Sequence, residues 1–292
     1  MSEPLITYHQ DIELFREALR YTAVEMGFAE RLIEKDYYCS VVLADFAISA
    51  GHVAFKGGTS LSKVHGDFYR LSEDLDFSIS TSVDATRARR RSQIAGPKAH
   101  LASIEERLPS LRIAEPFRGF NNSTQYTMRL AYGSVVTGQD EFIKVEVGVR
   151  EPIMESPAVL PASTLLLDPF RESAAVRPFD ILVMSFRETC AEKLRAALSR
   201  RIPAVRDFFD LDQTLPAGVV SADDDTLLDL LRRKLGMPGN DPVDVSSRRL
   251  DLLRAQLEPE LRPVLREADF ERFDLDRVFR QVADIAARLV ET

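Results

Sequence analysis

The stretch FKGGTSLSKVHGDFYRLSEDLDFSIS, residues 55–80, constrains this chain more than any other. Within it Asp74, Asp76 and Ser78 alternate with Leu75, Phe77 and Ile79. That period of two predicts a strand with one apolar face and both aspartates on the other. Like charges this close repel, so such a pair is tolerated where it holds a cation. Upstream, the short apolar run GHVAF reads as a buried strand ending at Gly57 and Gly58. Glycines there permit positive φ and close backbone approach. A helix capped by Thr59 or Ser60 is expected next, and its N-terminus offers unpaired N–H groups and the positive end of a dipole. Lys63, one turn on, adds a mobile cation suited to phosphate. The spacing is not that of a Walker A loop. A phosphate cradle beside two hard carboxylates suits Mg²⁺, which takes one or two protein carboxylates and the oxygens of a substrate phosphate. A tight structural turn and a solvated strand face are the bland alternatives.

Helical periodicity marks 9–27 and 29–49, and 84–107 reads as one basic helix. Three strands are expected in LRIAEPF, STQYTMRLAYG and FIKVEVGVR. The last puts Lys144, Glu146 and Gly148 on one face, so Glu146 completes a carboxylate triad if its strand lies beside 74–78. Glu73 points the other way and is expected to pair with Arg70. Prolines 152, 157, 161, 169 and 178 punctuate what reads as a connector. Helices are then expected at 180–200, 203–214, 223–236, 243–257 and 269–290. The expected fold is α+β: a mixed β-sheet with flanking helices over 1–170, then a C-terminal helical bundle over 171–292.

At 292 residues the chain can bury a large core. Its N-terminus, MSEPLITYHQDIELF, has neither the basic nor the apolar region of a signal peptide, and no apolar run is long enough to span a membrane. Cys39 and Cys190 match no zinc spacing and are expected as buried thiols in a reducing cytoplasm. A net charge of −8 argues against a protein coated in cations for nucleic-acid binding, but leaves room for a local basic groove. The candidates are TRARRRSQ at 86–93 and the arginines 195, 200, 201 and 206. The four histidines have no metal partner at helical spacing. Phe68, Tyr69, Phe208 and Phe209 read as core before they read as a base-stacking platform.

A glycine-rich turn, D-x-D on a strand and one more acid on a later strand resemble the DNA polymerase beta-like nucleotidyltransferases. Four stretches are similar to one branch of that superfamily, the AbiEii/AbiGii toxins (MenT-like) of abortive-infection and type IV toxin–antitoxin systems. They are KGGTSLSK (56–63), RLSEDLDFSI (70–79), ETCAEKLRAAL (188–198) and RDFFDL (206–211); the early IEKDYY (33–38) is also typical. The resemblance covers about residues 30 to 215. It implies that Gly57, Gly58, Thr59, Ser60 and Lys63 hold nucleotide phosphates and that Asp74 and Asp76 hold Mg²⁺. It makes Lys193 the essential lysine of the third motif and Asp207 or Asp210 the acid of the fourth. Arg206 supports Lys193. Glu146 stands where many relatives use Asp.

The activity so implied is Mg²⁺-dependent transfer of a nucleoside monophosphate from a nucleoside triphosphate to a hydroxyl. The implied acceptor is the 3′ end of a tRNA, which would block translation as a phage-defence toxin, opposed by an antitoxin encoded nearby. A phosphate on Thr59 or Ser60 would block the cradle by charge and bulk. The alternatives are a small molecule, a protein or the chain itself as acceptor, or a non-catalytic nucleotide-binding module.

Overall fold

The computed structural model describes residues 8–49, 51–171, 173–215 and 224–289. Asp223 and Val290, expected as helix ends, lie outside them. The chain divides into two compact units, 1–184 and 185–292.

Helix α1 (Ile12–Met26) begins where the Asp11 carboxylate accepts from Leu14 N and ends at Gly27 in the left-handed region. Helix α2 (Glu30–Ser49) follows and is buried along most of its length. Strand β1 (Ala54–Lys56) leads into the short helix α3 (Gly57–Ser60), which widens into a π-turn over Leu61–His65. Strand β2 (Asp74–Ser78) comes next. The expected basic helix is three: α4 (Arg87–Gln93), α5 (Ala95–Ala102) and α6 (Ile104–Arg107). Pro97 explains the first break. Proline cannot continue a helix interior but fits a first turn, so a new helix starts around it.

Strands β3 (Leu111–Phe120), β4 (Gln125–Gly133) and β5 (Asp140–Gly148) form an antiparallel meander. Strand β6 (Ala158–Ala162), a small ribbon of β7 (Leu167–Asp168) with β8 (Ser173–Ala174), and β9 (Phe179–Val183) complete the first unit. The main sheet runs β3-β4-β5-β2-β1-β9-β6, with β2/β5 and β1/β9 parallel and the other pairs antiparallel. Residues 152–178 are therefore not a plain connector. They carry the edge strand β6, whose Pro161 suits an edge. Segment 179–183 is a strand, not a helix start, and belongs to the first unit, beyond the expected boundary at 170. Along β2 and β5 the apolar side chains Leu75, Phe77, Val145 and Val147 are fully buried on one face.

The second unit is helical: α7 (Phe186–Ser199), α8 (Val205–Thr214), α9 (Asp225–Leu235), α10 (Ser247–Arg254), α11 (Glu267–Arg272) and α12 (Leu275–Arg288). Its core includes Leu194, Phe208, Phe209, Leu231, Val278 and Val282. Phe208 and Phe209 are thus packing residues, as their helical phase predicts. No described helix is long and apolar enough to cross a membrane.

Candidate active site

The glycine turn and the aspartate strand are built against each other. Strand β1 pairs antiparallel with β2 and sets Lys56 opposite Asp76. Gly57 follows with φ +80°, and a Cβ there would lie 2.7 Å from Asp76 Oδ2. Glycine is required twice, once for its backbone and once for the space the carboxylate occupies. Thr59 Oγ1 donates to the Asp74 carbonyl at 2.5 Å, and Ser60 Oγ donates to the Gly57 carbonyl at 3.1 Å. Both hydroxyls are buried, so in this structure they hold the turn in shape.

Strand β5 lies parallel to β2 with Asp74 opposite Lys144 and Asp76 opposite Glu146. Residues opposite one another share a face, so the three acids stand on one side of the sheet. Burial, reinforced by the charges of Glu146 and Asp74, pushes the Asp76 carboxyl up to about 6; Lys56 and Lys144 pull the other way. Lys144 Nζ lies 2.7 Å from Glu146 Oε2. Burial would lower the pKa of this lysine, but the carboxylates around it outweigh burial and raise it. Among the described residues no three acid, histidine or cysteine side chains converge as a ready metal cage. The residues that would hold a divalent cation are Asp74 and Asp76, two carboxylates on one face of β2 beside the Gly57 turn.

Lys63, expected at the phosphates, has its side chain turned inward. Its ammonium is buried and bonded to Asp36 Oδ1 (2.5 Å), Ser40 Oγ (2.8 Å) and the carbonyls of Asp36 and Ser163. The π-turn after Ser60 carries it inward, onto α2. Asp36 also accepts from Thr164 Oγ1 and Leu165 N. The IEKDYY segment is a set of struts: Glu34 accepts from Ser134 Oγ and Val135 N in the β4–β5 turn, and Lys35 binds Glu73 at 3.0 Å. Glu73 thus pairs with Lys35, and more loosely with Arg31 (3.6 Å). Sequence reasoning missed Asp36, although a charged residue on a buried helix face was the available signal. His65 packs beside the turn, against the Met184 carbonyl.

In the second unit Lys193 lies 2.7 Å from both Asp207 Oδ1 and Asp210 Oδ2, so the lysine of α7 engages both candidate acids of α8. Asp210 is the deeper of the two, and Asp207 also meets Arg200 at 3.3 Å. Glu188 and Glu192 clamp Lys234 of α9 at 2.7 and 3.0 Å. Lys234 is fully buried and was not foreseen. Arg206 is half-buried at the start of α8. In the 86–93 cluster Arg87, Arg89 and Arg91 are exposed, while Arg90 is buried and donates to the Val83 carbonyl.

Among curated proteins, none is similar in sequence to the chain. A crystal structure of JHP933 from Helicobacter pylori has a similar fold, with a TM-score of 0.53 at 14% identity over 90% of this chain and 94% of that one. A second H. pylori structure, described as that of a candidate nucleotidyltransferase, aligns over 100% of this chain and 96% of its own with a TM-score of 0.46 at 14% identity. Residues 41–287 match the family described as "Nucleotidyl transferase AbiEii toxin, Type IV TA system". Since that match spans most of its length, the chain belongs to the AbiEii nucleotidyl transferase toxin family.

Proposed function

We propose that this chain transfers a nucleoside monophosphate from a nucleoside triphosphate to a hydroxyl at the 3′ end of an RNA, a tRNA by family resemblance, with Asp74 and Asp76 holding Mg²⁺. The observation that carries the reading is the register that sets Asp76 opposite both Glu146 and Lys56, beside the Gly57 turn. A bound divalent cation would neutralise phosphate charge and orient the triphosphate. Gly57 and Gly58 let the phosphates approach the backbone, where α3 begins. Thr59 and Ser60 keep that backbone in shape through the bonds to Asp74 and Gly57. Glu146 accepts the proton of the attacking hydroxyl, which adds to the α-phosphorus as pyrophosphate leaves. By family resemblance Lys193 is the essential lysine and Arg206 supports it, with Asp207 and Asp210 orienting the Lys193 ammonium. Growth arrest through blocked translation, in phage defence, and a cognate antitoxin complete the proposal.

The test is to incubate the protein with Mg²⁺, each labelled nucleoside triphosphate in turn, and total bacterial tRNA. Label should appear on tRNA with one nucleotide and be absent with Asp76→Asn. Label on no RNA would sink the tRNA acceptor, and label on a protein band would move the reading to protein or self-modification.

A further inference from the structure

The sheet face that carries the acids continues uncovered beyond them. On β5 the positions from Asp140 to Gly148 that share this face are all half-buried or exposed, whereas Ile143, Val145 and Val147 on the other face are fully buried. Register carries the face outward. Lys144 stands opposite Arg129 of β4, and Glu146 opposite Thr127. Arg129 and Thr127 stand opposite Glu115 and Arg118 of β3, and Gln125 opposite Phe120. On β3, β4 and β5 four cations (Arg112, Arg118, Arg129 and Lys144) therefore share this face with Glu115, Asp140 and Glu146, next to Asp74 and Asp76 on β2. Two aromatic rings lie among them. The Arg129 guanidinium sits 4.4 Å from the Phe142 ring centroid, and Phe120 is 51% exposed.

An ion-pair ladder on a solvated sheet explains three of the four cations, since Arg129 meets Glu115 at 2.8 Å, Arg112 meets Asp140 at 2.5 Å and Lys144 meets Glu146 at 2.7 Å. It does not explain a large exposed phenylalanine beside the exposed Arg118, on the same face as the carboxylates. Aromatic rings and guanidinium groups on an open sheet are the chemistry that stacks unpaired bases and follows a phosphate backbone. A duplex, whose bases are already stacked, gains nothing from the rings. From β2 to β3 is three strand spacings, about 14 Å.

We propose that this face of β5, β4 and β3 is the track on which a single-stranded nucleic acid lies as its end reaches Asp74 and Asp76. The inference rests on the reading of the chain as a transferase with a nucleic-acid acceptor. It adds where the acceptor binds and that the bound portion is unpaired.

The test uses the full chain without nucleotide and a short fluorescent single-stranded RNA, read by anisotropy over a salt series. Arg118→Ala and Phe120→Ala lie outside the residues assigned to catalysis and are exposed, so circular dichroism and triphosphate affinity should stay as in wild type. Phe120→Ala should weaken RNA binding about ten-fold, the effect of one lost base stack. Arg118→Ala should reduce the slope of log affinity against log salt by about 0.7, one single-strand phosphate contact. Equal binding by wild type and the double variant would overturn the track and leave the acceptor class standing. Duplex RNA bound as tightly as the single strand would overturn the stacking. If wild type binds no RNA the track is refuted, and the labelled transfer experiment then judges the transferase reading on its own.

Discussion

At Asp76, burial and two neighbouring carboxylates push in the same direction. Its folded-state pKa, near 6, lies above that of an aspartate in an unfolded chain. The folded state therefore favours the protonated acid. The stabilisation is complete below about pH 4 and is lost as pH rises through about 6. In metal-free protein Asp76→Asn should be more stable than wild type at pH 7.5 by about 1–2 kcal/mol, the shift being discounted for the solvent that reaches this half-buried group. The gap should close below about pH 4. Urea titrations in a chelator at both pH values measure it, and a gap independent of pH would refute the account. Gly57→Ala is the second case. It forces a side chain into positive φ and against the Asp76 carboxylate, so we expect a loss of about 1–2 kcal/mol and at least a ten-fold drop in transfer. Gly96→Ala, in helix α5 where the added methyl meets open space, is the control: it should leave transfer unchanged and gain about 0.5–1 kcal/mol of stability.

Among elements, the contact between α2 and the π-turn after α3 governs how the site is held. Lys63 and Asp36 are both buried, so Lys63→Met leaves a carboxylate stranded and should cost about 3–5 kcal/mol. The folded fraction should bind triphosphate as before. Unchanged stability with lost affinity would restore Lys63 to the phosphate cradle. This pair also shows where the sequence stopped being legible. Strand β2 was readable because its alternation is local, and β5 because Val145, Val147 and Val149 repeat the same pattern. The inward turn of Lys63 was not, because it depends on a π-turn that no spacing rule signals. Its partner lies 27 residues away on another helix. Likewise Lys193 stood out within its motif, but the contact of Glu188 and Glu192 with Lys234 did not, since Lys234 comes from α9, 42 residues beyond Glu192. Strand β9 hid among helix-like residues after Pro178, since five residues, FDILV, are too short for period alone to separate strand from helix.

For the molecule as a whole, the division at Met184 makes a concrete claim about fragments. Residues 185–292 have a hydrophobic core of their own and should give a cooperative thermal transition by circular dichroism when expressed alone. A fragment of residues 1–184 should also fold. A fragment ending at 170 lacks β9, the strand between β1 and β6, and should be insoluble or lack a cooperative transition. Equal behaviour of the 170 and 184 fragments would mean that β9 is dispensable. The same strand has a consequence in time. Phe55, next to the glycine turn, pairs with Val183, so the β1 side of the sheet cannot close until the ribosome has delivered a segment made long after the turn itself. At ordinary elongation rates that wait is on the order of ten seconds. A growing chain therefore leaves β1, the strand that leads into the glycine turn, with an open edge for most of the synthesis of its first unit. A partner that recognises the finished sheet has nothing to bind until β9 emerges.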